Sequence, residues 1–115
     1  MPPRSWRLRV EDILTAIVRI QKYTQDQSFD SFQGDQMMVD AVVRNLEILG
    51  EAASHVPRDV QMRYPDVPWL DMRDMRNVAA HGYFKVDLVV VWDTIQNDLP
   101  TLLPQLREIL EKEPR

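Results

Sequence analysis

The chain has 115 residues, of which 44% are hydrophobic and 28% charged, a composition that fits one globular domain with a modest core. It has no cysteine and no apolar run of membrane-spanning length, so disulfides, thiolate metal sites and transmembrane helices are excluded. The net charge of −4 argues against a general nucleic-acid-binding protein, which is usually basic, so any contact with RNA must be local. Because residues 1–5 lack the apolar stretch of a signal peptide, we expect a cytoplasmic protein without membrane association.

Two long amphipathic helices are predicted in the first half of the chain. Apolar residues recur every three or four positions over residues 8–25 and again over residues 35–55, where Asp35 is the predicted N-cap. Residues 26–35 are predicted to form a polar connection in which two phenylalanines are embedded. The end of the second helix carries three small residues that would let another helix pack closely: Gly50, Ala52 and Ala53.

Prolines divide the middle of the chain into shorter segments. Pro57 ends the second long helix and opens a short one that extends to Tyr64. Pro68 can start the next helix, which is predicted over residues 69–81 and ends where Gly82 can take the left-handed conformation.

The last third of the chain is predicted to be helical as well. The β-branched residues at 88–91 are typical of a strand, yet apolar residues at helical spacing over 88–99 favour a helix capped by Asp87. A last amphipathic helix follows over residues 102–110, with a kink or a restart at Pro100.

These elements predict an all-α protein. The expected architecture is an up-and-down bundle of four main helices with short additional helices. Residues 1–115 are expected to form a single helical domain with its core at about residues 8–112, because no repeat, low-complexity tract or linker interrupts the pattern.

The stretch around residues 75–84 carries the chemistry. It contains Arg76 and, five residues later, His81, with Tyr83 two residues beyond. Five residues along a helix give about 7.5 Å of rise and about 140° of rotation, so Arg76 and His81 do not share one stripe. The arginine must swing round, the helix must stop at His81, or a second copy of the helix must bring the two groups together. A permanent cation beside a group that titrates near neutrality suits chemistry on phosphodiesters.

The pattern Arg-x-x-x-x-His-x-Tyr, formed by Arg76, His81 and Tyr83, resembles the signature of HepT-type toxins of the HEPN ribonuclease superfamily. The resemblance extends from about Leu8 to Glu111. Further segments resemble the second-helix motif of that family, its approach to the catalytic helix, and the region that follows it: residues 45–52, Arg63-Tyr64-Pro65 with Pro68-Trp69, and Val86-Asp87, Trp92 and Asp98-Leu99-Pro100.

The resemblance implies metal-independent cleavage of RNA, with neither a metal nor a cofactor. His81 would act as general base on a ribose 2′-hydroxyl or as acid on the leaving oxygen, and Arg76 would bind the phosphate. Asn77 could orient either group. In the HEPN superfamily two motifs face each other across a homodimer, and the small residues Ala79, Ala80 and Gly82 are compatible with such a close approach.

Tyr83 has two interpretations. In HepT-like systems the cognate antitoxin is a minimal nucleotidyltransferase, and the tyrosine of the motif is the residue that it AMPylates. The resemblance therefore implies a type II-like toxin–antitoxin system in which Tyr83 is modified. The alternative is a partly buried tyrosine that packs its ring and satisfies its hydroxyl.

Plainer alternatives remain for the other candidate residues. His81 could be a histidine that interacts with a helix C-terminus, and the chain could be a non-catalytic helical module that binds a nucleotidyltransferase partner or a nucleotide. His55 is predicted to form a structural ion pair with Glu51, four residues earlier. Glu51 itself is expected to be a polar group buried beside Gly50. The methionines are predicted to fill the core, and two tryptophans to anchor the core or an interface: Trp69 and Trp92.

Overall fold

The computed structural model describes residues 5–77 and 87–114, and within these ranges it contains helices and no strand. The all-α prediction is confirmed. The α-helices are α1 (Trp6–Thr24), α2 (Phe29–Gln33), α3 (Gln36–Ser54), α4 (Arg58–Arg63), α5 (Trp69–Asp74), α6 (Leu88–Asp93) and α7 (Leu99–Lys112). A 3₁₀ turn, Met75–Asn77, follows α5, and a π-helical segment, Thr94–Asp98, joins α6 to α7.

The core is built on the pairing of α1 with α3. The apolar stripe of α1 is buried against that of α3, and α7 also packs on α1. Both long helices begin at side-chain caps, since Ser5 accepts from the Arg7 amide and Asp35 accepts from the Met38 amide at 3.1 Å. The prediction that Asp35 caps the second long helix is therefore confirmed.

The connection predicted at residues 26–35 is more than a polar loop, and that part of the prediction was wrong. It contains α2, which begins at a capping box formed by Ser28 and Ser31. Phe32 of this helix is fully buried, and its ring lies 5.2 Å from that of Trp92. Local capping and the burial of one large ring together stabilise a helix too short to show any periodicity.

Within the described residues, the segment predicted as one helix over residues 69–81 is α-helical only in its first part. The α-helical part ends at Asp74, and residues 75–77 form a tighter 3₁₀ turn. Trp69 anchors its start, as predicted, because the residue is only 8% exposed and its indole N–H donates to the Tyr64 carbonyl at 3.0 Å. The remainder of the predicted helix, residues 78–81, lies outside the described residues.

Residues 88–99 are helical, as the spacing predicted, and Asp87 caps them by accepting from the amides of Val89 and Val90. The kink or restart predicted at Pro100 coincides with a restart, because a π-helical segment, in which the Leu99 amide donates to the Thr94 carbonyl, ends just before α7 begins at Leu99. Because proline lacks an N–H and its ring crowds the carbonyl four residues earlier, the wider π turn relieves the clash.

The C-terminal end of α7 is tied to the rest of the bundle by polar contacts. Arg7 donates from its two terminal nitrogens to the carbonyls of Glu113 and Leu110, at 2.9 and 3.0 Å. The Glu113 carboxylate accepts from the Tyr64 hydroxyl at 2.9 Å and is paired with Arg63. Three elements distant in sequence are therefore joined at one end of the molecule.

The prediction that the methionines fill the core was wrong for two of them. Met72 is fully buried, whereas Met37 and Met62 are 83% and 70% exposed. These two occupy the first turn of α3 and the last turn of the short α4, where the buried stripe of each helix does not extend. Among the described residues, no helix is long and apolar enough to cross a membrane.

Candidate functional site

A close contact between α3 and the 3₁₀ turn holds the backbone of Arg76. A Cβ atom added to Gly50 would lie 2.9 Å from the Arg76 Cβ and 3.0 Å from the Arg73 carbonyl oxygen, and it would also clash with the Arg76 amide nitrogen. Only glycine lets the two backbones approach this closely. The prediction that Gly50 admits a close neighbour is confirmed, and that neighbour is the segment that carries the candidate catalytic arginine.

The side chain of Arg76 lines a cleft of about 490 Å³ between α1, α3 and the 3₁₀ turn. Its side chain is 43% exposed, and Asn77 lines the same cleft. Charged residues from both long helices line the cleft beside them: Arg9, Asp12, Arg44, Glu47 and Glu51. Two apolar residues of α3 complete the described lining: Ile48 and Ala52. The arginines and carboxylates of this lining are equal in number, three of each.

Among the carboxylates of the cleft, Glu51 contacts both a histidine and Arg76. One oxygen lies 2.8 Å from His55 Nε2 and the other 3.6 Å from Arg76 Nη1. The hydrogen bond from His55 lowers the pKa of Glu51 below its ordinary value, and the positive charges of Arg76 and Arg9 act in the same direction. The carboxylate is therefore ionised at neutral pH and keeps an anion beside the arginine.

Two predictions about this region have different outcomes. The predicted pairing of His55 with Glu51 is confirmed. The expectation that Glu51 is a buried polar group beside Gly50 was wrong, because its side chain is 55% exposed. Adjacent residues on a helix are rotated by about 100°, so the close contact at Gly50 and the charged cleft at Glu51 occupy different faces of α3.

Two further arginines approach the cleft from the long helices. Arg9 is half-buried, and its Nε is enclosed without a hydrogen-bond partner among the described residues. Arg44 lies at the rim with a side chain that is 70% exposed, and its Nη1 is 3.8 Å from a Glu47 oxygen. That distance is longer than a hydrogen bond, so the pair is a loose electrostatic contact.

The structure places two of the four predicted site residues. Arg76 and Asn77 lie together in the cleft. His81 and Tyr83 fall outside the described ranges, as do Ala79, Ala80 and Gly82, so the pairing of Arg76 with His81 and the exposure of Tyr83 stay predictions. In the described part of the chain, no group of three or more His, Cys, Asp or Glu side chains is arranged to hold a metal ion.

The motif did not point to the residues that α1 and α3 contribute to the cleft. A signal for α3 was present in the sequence, because Arg44, Glu47, Ile48 and Glu51 follow the three-and-four spacing of one helix face. Three of these side chains are charged, and none of the three is buried. Arg9 gave no comparable signal, since its neighbours on α1 match an ordinary amphipathic pattern.

Comparison with known families provides the identification. The model of the HepT-like ribonuclease family matches residues 13–109, which includes the 3₁₀ turn and the whole of α3. The chain belongs to the HepT-like ribonuclease family. The resemblance predicted from the motif is confirmed at the level of the family, whereas the role of each motif residue remains a prediction.

Individual relatives of this HepT-like chain support the same assignment. A Thermococcus cleftensis protein described as a probable ribonuclease HepT is 40% identical over 99 residues, which cover 86% of this chain and 90% of that protein. A Methanocaldococcus jannaschii protein described as a candidate RNase is 35% identical over 111 residues, covering 96% and 92%. A Caldanaerobacter subterraneus protein with a similar description is 40% identical over 86 residues, covering 75% and 77%. No solved structure matches the chain.

Proposed function

We propose that this HepT-like chain is a cytoplasmic endoribonuclease toxin that cleaves RNA without a metal ion, acts as a homodimer, and is neutralised by a minimal nucleotidyltransferase antitoxin. Membership of a ribonuclease family supports the reaction class. The observation that carries the proposal is the placement of Arg76, whose backbone is held against Gly50 while its side chain opens into a cleft. A phosphate-binding cation needs both a fixed backbone and an accessible head.

In the proposed reaction, His81 removes the proton from a ribose 2′-hydroxyl, whose oxygen attacks the adjacent phosphorus. The bond from phosphorus to the 5′-oxygen breaks, that oxygen receives a proton from a second His81 or from water, and a 2′,3′-cyclic phosphate is left. Arg76 offsets the charge that builds up on the phosphate oxygens. Asn77, beside it in the cleft, orients the phosphate or the arginine.

A homodimer would complete this site. Arg76 and His81 lie about 140° apart on an ideal helix, so two copies related by a two-fold axis would bring the arginine of one chain to the histidine of the other. Light scattering at micromolar concentration should give the mass of two chains, and a strict monomer would remove the support for a composite site.

The proposed control acts on Tyr83. Each AMP unit that the antitoxin adds would bring negative charge and bulk to a site whose function is to attract a phosphate. Co-expression with the cognate nucleotidyltransferase should add mass in steps of one AMP and abolish toxicity in parallel. Tyr83→Phe keeps the ring and should escape modification, so equal modification of that variant would place the acceptor elsewhere.

Cleavage of a labelled RNA in the presence of a chelator tests the central proposal. Wild type should cut and leave a 2′,3′-cyclic phosphate, whereas Arg76→Gln and His81→Ala should each lose at least about a hundredfold in rate. Arg73→Gln is the matched control, because Arg73 is an exposed arginine three residues earlier that pairs with Asp74 at 3.7 Å. Cleavage that vanished with chelator and returned with a divalent metal would contradict the proposal.

The second candidate function is a non-catalytic module that binds a nucleotide or a nucleotidyltransferase. The balance of arginines and carboxylates along the described cleft lining favours it, since a groove for a long polyanion is usually cationic. Unchanged RNA in the assay above, together with a stable complex with the nucleotidyltransferase, would favour this candidate.

A further inference from the structure

The cleft beside Arg76 is larger than the proposed reaction requires. Its volume of about 490 Å³ falls within the range of roughly 300–1,000 Å³ that is typical of small-ligand pockets. Of its described lining, the reaction uses Arg76 and Asn77. The remaining surface, supplied by α1 and α3, can therefore hold a group attached to the phosphate that Arg76 binds.

The arginines of the cleft come from separate elements and converge on one space. Arg9 is on α1, Arg44 on α3 and Arg76 on the 3₁₀ turn. Arg44 is 70% exposed, and its contact with Glu47, at 3.8 Å, does not use a hydrogen bond. A guanidinium offers several N–H donors and no acceptor, so Arg44 retains donors for a phosphate or a carbonyl oxygen at the rim.

The carboxylates of the cleft differ in how far they are engaged. Glu51 is bound by His55 and faces Arg76, and Asp12 has an interaction of its own. Glu47 has the loose contact with Arg44, and its side chain is 34% exposed. Glu47 is therefore the carboxylate best able to accept hydrogen bonds from a ligand.

One partly exposed apolar side chain lies among these charges. Ile48 lines the cleft between Glu47 and Glu51 in the sequence of α3, whereas Ala52, one turn further along, is only 2% exposed. A ligand that matches the whole cleft needs oxygen acceptors for the arginines, N–H donors for a carboxylate, and a flat apolar face. A nucleotide with an amino-bearing base has all three, and guanine best combines them: O6 and N7 accept from arginine, while N1–H and the 2-amino group donate to a carboxylate.

We propose that this cleft binds one nucleotide of the RNA next to the scissile phosphate, with the base against Ile48, Glu47 accepting from the amino group of the base, and Arg44 donating to an oxygen of the nucleotide. The proposal rests on the proposed function, because it treats the nucleotide as part of an RNA substrate. The site prefers guanine over uracil, since uracil has no amino group to donate to Glu47.

Nucleotide titration of the wild-type chain, followed by backbone amide NMR, tests the site without cleavage. Guanosine 5′-monophosphate should shift the amides of Ile48, Ala52 and Asn77, with a Kd about tenfold below that of uridine 5′-monophosphate. Inorganic phosphate alone should leave the amide chemical shifts of Ile48 and Ala52 unchanged. Equal affinity for both nucleotides, or no shift at the two apolar residues, would overturn the proposal.

Two substitutions in the cleft lining locate the preference. Glu47→Gln should reduce the preference for guanosine over uridine monophosphate to about twofold or less, because a neutral amide accepts more weakly than a carboxylate. Arg44→Gln should raise the Kd for both nucleotides by about threefold or more. Arg19→Gln, an exposed arginine on α1 outside the cleft lining, is the matched control and should bind as wild type does. A guanine preference that survives Glu47→Gln would show that another residue reads the base.

RNA cleavage by the same proteins separates this inference from the proposed function. If wild type cuts RNA while guanosine monophosphate leaves Ile48 and Ala52 unmoved, the nucleotide site is wrong and the ribonuclease proposal stands. If wild type cuts no RNA yet binds the nucleotide with a preference that depends on Glu47, the ribonuclease proposal fails and the cleft is a site for a free nucleotide rather than for an RNA substrate.

Discussion

At the scale of single residues, Glu51 links the described part of the site. Its carboxylate holds His55 on one side and faces Arg76 on the other, at 3.6 Å. A contact of that length orients the guanidinium without occupying its donors fully, so Arg76 can still bind a phosphate. We propose that Glu51 is a positioning residue, which would act through Arg76 and touch no reacting atom.

Glu51→Gln should reduce kcat/KM for RNA cleavage about two- to fivefold, because an exposed ion pair contributes up to about 1 kcal/mol. A positioning role predicts that most of the loss falls in kcat, with the melting temperature nearly unchanged. Asp40→Asn, on an exposed part of the same helix, should cleave as wild type does. Unchanged kinetics for Glu51→Gln would remove the positioning role. Steady-state kinetics with a short labelled RNA provide the measurement.

At the scale of elements, the approach of α3 to the 3₁₀ turn connects packing to the site. Ala has a helix propensity about 1 kcal/mol better than Gly, so Gly50→Ala would stabilise an isolated α3. In the folded protein the added methyl group meets the backbone of Arg76 and Arg73. Backbone atoms of a packed segment cannot move aside as a flexible side chain can, so the clash outweighs the gain in propensity.

Gly50→Ala should therefore lower the free energy of unfolding by about 1–3 kcal/mol and reduce RNA cleavage, because Arg76 is displaced. Urea denaturation followed by circular dichroism gives the first quantity, and a cleavage assay on the folded fraction gives the second. Gly34→Ala at the end of α2 is the control for activity, since Gly34 has an ordinary φ of −82° and lies outside the cleft lining. A stabilised and fully active Gly50→Ala would show that the turn can move away from α3.

The short helix α2 makes a second prediction at this scale. Phe32 is fully buried against Trp92, so Phe32→Ala should cost about 3–5 kcal/mol of stability by leaving a cavity. Phe29→Ala is the matched control, because Phe29 is only partly buried and its ring lies 6.4 Å from Trp92. It should cost clearly less. Equal losses for the two variants would mean that α2 is not anchored through Phe32.

At the scale of the whole molecule, Glu113 joins the C-terminus to α1 and α4. The hydrogen bond from Arg63 lowers the pKa of Glu113 below its ordinary value of 4.5, and the hydrogen bond from Tyr64 acts in the same direction. A carboxyl group with a lowered folded-state pKa contributes stability above its unfolded-state pKa. It loses that contribution as the pH falls through the folded-state pKa.

Glu113→Gln should therefore lower the melting temperature at pH 7 and narrow its difference from wild type as the pH falls below about 4.5. Thermal melts at a series of pH values measure this. Glu111→Gln, an exposed glutamate two residues earlier, should follow the wild-type profile. A difference between Glu113→Gln and wild type that stayed constant with pH would assign the effect to packing rather than to charge.

The sequence predicted most of the helices because their signals are local. Apolar spacing located the long helices, and Asp35 and Asp87 were predicted as caps from their positions before apolar runs. The signal failed for α2, whose five residues are too few for periodicity, and for the 3₁₀ turn after Asp74, which depends on contact with another element. The burial of Glu51 was predicted wrongly because its neighbour Gly50 suggested a packed surface.

By itself, the sequence determined the all-α class, the family, and the candidate residues of the motif, since helix periodicity and a fixed motif are properties of neighbouring positions. Only the tertiary structure decided which face of α3 meets Arg76 and that Arg9 and Arg44 share its cleft. Residues 9, 44 and 76 are separated by at least 32 positions, and no local pattern encodes the packing of one helix on another. These three residues meet because the apolar stripes of α1 and α3 are buried against each other. Gly50, which has no side chain, then lets the backbone of Arg76 approach α3.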